Sequence, residues 1–92
     1  AGTLPFYDFE NKPIDAQIRA RYRVNNGLQI TKLRNGLLQQ AGIAEGFIIT
    51  AIDKKPVATE NDIEKILGDK KGNVLIEGFY LNGFRYYYNI VM

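Results

Sequence analysis

Phe47-Ile48-Ile49-Thr50-Ala51-Ile52 is the stretch that most restricts the fold. A near-continuous apolar run of this length, rich in isoleucine, reads as a strand covered on both faces. With 92 residues the chain makes one domain, 1–92, with one modest core. A domain of this size buries a little over roughly 60% of its unfolded surface. The remaining elements have to be arranged around that strand.

Gly27-Leu28-Gln29-Ile30-Thr31-Lys32-Leu33 alternates strictly from Leu28 to Thr31, the pattern of a half-buried strand. Asn25, Asn26 and Gly27 lead into it with free backbone N–H groups and little bulk. A strand entered this way is expected at a sheet edge, offering unpaired backbone to another chain.

Before it, Thr3 to Phe9 reads as a first strand, with Pro5 favouring its start or an edge. Asn11-Lys12-Pro13 is a break and the one candidate linker. Pro13 suits a first helical turn capped by Asn11 or Lys12, and Ile14 and Ile18 share a face at i, i+4. Arg19-Ala20-Arg21-Tyr22-Arg23-Val24 fits a strand with three arginines on one face, or a helix end where the arginines meet the negative pole of the dipole. A helix ending near Ala20 is the preferred reading.

After it, Asn35-Gly36 marks a turn, Leu37 to Ala41 a helical turn, and Gly42 its left-handed end. Asp53-Lys54-Lys55-Pro56 turns the chain into a short edge at Pro56-Val57. Thr59 caps a helix with Asp62 three residues on, a near match to a capping box. Ile63, Ile66 and Leu67 form its apolar stripe and Gly68 ends it. Asp69 to Gly72 is a loop. Asn73 to Leu81 and Phe84 to Met92 form a hairpin through Asn82-Gly83, a pair expected to take positive φ at both positions. Gly78 inside the first of these strands marks a bulge or a close contact.

Composition excludes more than it selects. The chain has no Cys, His, Ser or Trp. That removes a thiolate nucleophile, the commonest general base, and any serine-type triad. No catalytic residue, cofactor or metal site is expected. Glu60, Asp62 and Glu64 suit a hard cation, but cap and dipole chemistry explains them more simply. No apolar run of about 18 residues is present to insert into a membrane. A net charge of +2 does not by itself imply nucleic acid. The alternative in that direction is a basic-aromatic β-barrel, with Arg19, Arg21 and Arg23 meeting phosphates and Tyr86-Tyr87-Tyr88 stacking on bases beside Arg85. Sheet packing is the simpler account of the tyrosines.

Taken in order, these motifs resemble a PDZ domain of the circularly permuted bacterial type, most like the C-terminal PDZ domain of HtrA (Deg-type) periplasmic serine proteases. The residues that carry the likeness are Gly27-Leu28-Gln29-Ile30, Gly36, Ala41-Gly42-Ile43, Gly46 to Ile49, Ala51 to Val57 and Asp62 to Leu67. The chain departs from the pattern at Gly36 to Gln40, where a Gly-Ser-Pro-Ala-Ala run is usual, and at Gly46-Phe47, where Gly-Asp is usual. Asn25-Asn26-Gly27-Leu28 stands where many PDZ domains have Gly-Leu-Gly-Phe, the carboxylate loop. The resemblance implies an α+β, mainly β fold: a partly open barrel of five to six strands with two short helices. It implies a non-catalytic module that binds hydrophobic C-termini or exposed strands by strand addition. Arg23, Asn25, Asn26, Gly27, Leu28, Gln29, Ile30, Ile63, Ile66 and Leu67 would form the peptide site. The implied partners are C-termini or unfolded segments of envelope proteins, or other PDZ or protease domains of the same oligomer. The implied setting is the periplasm, and the implied parent chain is a serine endopeptidase.

Overall fold

A computed structural model of the chain describes residues 9–34, 36–68 and 72–91. The first strand expected over Thr3 to Phe9 lies outside these except for Phe9, as do Asn35, the loop residues 69–71 and Met92. The described elements are β1 (Phe9–Pro13), α1 (Ala16–Tyr22), β2 (Leu28–Leu33), α2 (Leu37–Gln40), β3 (Ile48–Ile52), β4 (Lys55–Pro56), α3 (Glu60–Leu67), β5 (Asn73–Phe79) and β6 (Arg85–Val91). The strands form one antiparallel sheet in the order β1-β2-β3-β5-β6, with β4 also on β3, and the sheet is not closed.

β3 is covered on both faces, as its composition requires. Phe47, Ile49 and Ile52 join the main core with Leu28, Ile30, Leu38, Ile63, Leu67, Val74 and Ile76. Ile48 points the other way, into a second cluster with Ile14 and Phe79, which Ile18, Tyr22 and Val24 of the α1 region cover. Ile49 and Ile52 are three apart and belong on opposite faces of a regular strand. A bulge between Ile49 and Ala51 inserts the residue that restores both to the same core. Opposite that bulge sits Gly78, where a Cβ would lie 2.0 Å from the Ile48 carbonyl oxygen and 2.5 Å from the Phe47 ring. The close-contact reading of Gly78 therefore holds.

Several local readings are corrected. Asn11-Lys12-Pro13 is not a break but the end of β1, paired with Ile30, Gln29 and Leu28. The cap of α1 is Asp15, whose carboxylate accepts from the Ile18 N–H at 2.9 Å. The helix runs to Tyr22, and Arg23 closes it with a left-handed φ of 56°. Turn chemistry is exchanged between the two hairpins. Asp53 and Lys54 both take positive φ, 51° and 67°, in a two-residue connection between β3 and β4. At Asn82-Gly83 only Gly83 has positive φ, 89°. There Gly83 N–H donates to Tyr80 and Tyr80 N–H to Phe84, giving a three-residue loop in which glycine alone needs the left-handed region.

Candidate functional site

The expectation that Gly27–Leu33 forms a sheet edge is overturned. β2 pairs with β1 along its length, and its Leu28–Ile30 half is also bonded to β3. A segment bonded on both sides has no backbone groups left for a guest, so Leu28–Ile30 takes none. The edge is β1, which ends the sheet and among the described residues pairs with β2 alone. Its outward N–H and C=O groups, at alternate residues, face away from the sheet.

α3 lies beside that edge. The Asn11 side-chain amide donates to the Glu60 carboxylate at 3.3 Å, tying mid-β1 to the first turn of the helix. Phe9, Ile63 and Leu67 belong to one buried cluster. The helix is set firmly at its start. Thr59 Oγ1 accepts from Asp62 N–H, while the Asp62 carboxylate accepts from Ala58 and Thr59 N–H at 2.9 and 3.1 Å. Those backbone donors hold the Asp62 carboxyl below its ordinary pKa. Its oxygens thus serve the cap.

The residues expected to make one peptide site are divided among several environments. Leu28 and Ile30 are core side chains, and Gln29 donates to the Gly46 carbonyl. Asn26 is half-buried, and its amide donates to the carbonyls of both Thr50 and Val57 at 2.8 Å, tying the loop to the β3–β4 hairpin. Gly27 is packed under α1. Its carbonyl accepts from Ile14 N–H, and a Cβ there would meet Ile48 at 2.7 Å. Asn25 and Arg23 are exposed, Arg23 at the end of α1. Of the helix residues, Ile63 and Leu67 are core and Ile66 is half-buried against it. Leu28, Gln29 and Ile30 pair with β1 on its inner side, and the helix residues share the core cluster with Phe9.

The β1 edge was missed, although the sequence marks it. Phe9 and Asn11 turn inward while Glu10, Lys12 and Pro13 are exposed. Charges and a proline on a short strand are the signature of an edge that must stay unpaired until wanted.

The basic and aromatic residues are used separately. Arg19 donates to the Ile14 carbonyl at 2.9 Å, and Arg21 lies over the Tyr22 ring. Tyr88 meets Phe47 edge-on with ring centroids 5.3 Å apart and shares a 3.2 Å hydroxyl contact with Tyr80. Burial, with the Tyr80 contact second, pushes the Tyr88 hydroxyl pKa up to about 12. Tyr86 stacks nearby and is 40% exposed, and Tyr87 is 63% exposed.

No protein-family profile matches the sequence. No protein with a curated description matches it either. Among solved structures, the PDZ domain of HtrA3, crystallised with a phage-derived ligand of sequence FGRWV, aligns over 94% of this chain and 82% of that one, with a TM-score of 0.71 and 18% sequence identity. The chain therefore has a PDZ-like fold, mainly β within the α+β class.

Proposed function

We propose that this chain is a non-catalytic peptide-binding module that takes an extended guest along the outer edge of β1, between that strand and α3. The observation that carries the reading is the position of β1: last in an open sheet, with a helix alongside. The similar HtrA3 domain is itself bound to a peptide. A guest antiparallel to β1 would bring its own C-terminus beside Phe9. Three or four backbone hydrogen bonds contribute about 0.5–1.5 kcal/mol each. One buried apolar side chain adds about 1.5–3 kcal/mol. Loss of free motion offsets much of this, leaving a Kd from roughly ten micromolar to a millimolar.

The test is a titration with peptides that end in an apolar residue, followed by amide chemical shifts. Shifts are expected at Glu10 to Lys12 and Glu60 to Leu67. N-methylation of alternate guest amides should abolish them, because it removes the donors that pair with the edge. Shifts confined to Arg19–Arg23 and Tyr86–Tyr88 would refute the reading. So would none at millimolar peptide.

Within this reading we place the module in a circularly permuted bacterial PDZ domain of an HtrA-type serine protease in the cell envelope. There it recognises hydrophobic C-termini or unfolded segments of envelope proteins, or docks PDZ or protease domains of its own oligomer. The motif order from Gly27 to Leu67 and the final hairpin supports this. A His…Asp…Gly-Asn-Ser-Gly pattern upstream in the parent gene is expected, and a parent without one would refute it. The domain alone is expected to leave unfolded casein intact, since it contains no Ser, His or Cys.

A further inference from the structure

The sheet has a second free end, and it differs from β1. β6 pairs with β5 over seven consecutive residues without a bulge. Among the described residues nothing pairs with its other side. Its sequence, Arg85-Tyr-Tyr-Tyr-Asn-Ile-Val91, holds one charge, at one end, and no proline or glycine. β1 carries the usual protections of an edge: Glu10, Lys12, Pro13 and a bulge between Glu10 and Asn11. β6 carries none of them along its centre. Such a strand is a template for pairing.

We propose that β6 pairs antiparallel with β6 of a second copy about a twofold axis, joining two sheets into one. The charge placement selects this partner. In the fully overlapped register Tyr88 faces Tyr88, Tyr87 faces Asn89, and Arg85 faces Val91. The two arginines then lie at opposite ends, about 20 Å apart at roughly 3.3 Å per residue. That exceeds the screening length of about 8 Å at physiological salt. A groove supports the same register. Leu37, Gln40 and Ala41 of the α2 region border the end of β6 at Asn89, Ile90 and Val91, leaving about 230 Å³. Tyr86 of the second copy falls opposite Ile90, on the face that carries the groove. Tyr86 packs against Tyr80 and Tyr88 in its own chain but is 40% exposed, so the outer part of its ring can face that groove. The symmetry fills both grooves at once. A single strand pair buries less than the roughly 1,200 Å² of a stable interface, so the dimer is weak and concentration-dependent.

The experiment is sedimentation equilibrium of the 92-residue chain from micromolar to millimolar concentration. A monomer–dimer equilibrium is expected. The exposed pair Tyr87→Lys with Asn89→Lys puts lysine against lysine and should weaken it at least tenfold, as should Tyr87→Glu with Asn89→Glu. An equimolar mixture of the two variants should dimerise again, which a folding defect would not allow. Should either variant fail to fold, hydrogen exchange of the unaltered chain decides, with β6 amides gaining protection as concentration rises. A chain monomeric at millimolar concentration would overturn the proposal. So would a dimer indifferent to the lysine and glutamate variants, or concentration-dependent protection at β1 instead of β6. Peptide binding at β1 stands or falls separately.

Discussion

Ile63→Ala tests where the core ends beneath α3. Ile63 is 0% exposed, at the end of the first turn of α3, within the main core cluster. The change removes three carbons, worth about 2.4 kcal/mol of transfer free energy at about 0.8 kcal/mol each. Any cavity that does not collapse adds about 24 cal/mol per Å³. Alanine is the better helix former by a few tenths of a kcal/mol, which offsets a little. The expected loss is about 2–4 kcal/mol. Small domains have about 5–15 kcal/mol in total, so the variant should still fold. Its Tm should fall by about 8–32 °C, at about 4–8 °C per kcal/mol for a domain near this size. The assay is urea unfolding, with a lower midpoint at unchanged slope. Ile66, half-buried at the core margin, should lose distinctly less on truncation. A loss below about 1 kcal/mol for Ile63→Ala would refute the placement of this side chain, because surface changes fall in that range. Equal losses at Ile63 and Ile66 would refute the orientation of α3.

Gly78→Ala should cost more than Ile63→Ala, since its Cβ stands about 1.4 Å inside ordinary contact with a backbone carbonyl that cannot swing away; an unchanged melting temperature would contradict the register of β3 on β5. Stability should fall as pH rises from about 10 to 12, where an unfolded Tyr88 releases its proton and the folded one, with its pKa near 12, retains it. Below pH 10 that contribution is fully present, and Tyr88→Phe should flatten the alkaline slope seen in urea titrations. Asp62, its carboxyl held low by the cap, contributes above pH 4 and ceases to as pH falls through its folded pKa, so Asp62→Asn should reduce the acid sensitivity of unfolding.

Periodicity made the strands and helices readable, and burial made β3 and α3 readable almost residue by residue. Thr59 and Asp62 were recognisable because a capping box is local. The site was harder, because an edge is a property of the whole sheet. Leu28 to Ile30 alternates as an edge strand would, yet nothing within seven residues tells how many neighbours a strand has. β1 carries the charges and proline of an edge, but its five residues are too few for periodicity to distinguish strand from linker. The hairpins taught a similar lesson. Asn-Gly at 82–83 signals a turn, while the ladder at Tyr80 and Phe84 decides which residues must adopt left-handed angles.

The sheet order has a consequence for motion. The connection between β3 and β5, about twenty residues that contain β4 and α3, is the longest between neighbouring strands of the sheet, against about fourteen for β1–β2 and for β2–β3. α3 hangs within this longest closure and holds no rung of the ladder. Its attachment rests on Ile63, Ile66 and Leu67, with Asn11 on Glu60 at one corner. Lifting it exposes side chains but breaks no strand pairing, so its amides should exchange through a partial opening that leaves the sheet intact. On the proposed function the helix side of the groove would yield first, and the gap between strand and helix should widen for a bulky guest before the strand deforms.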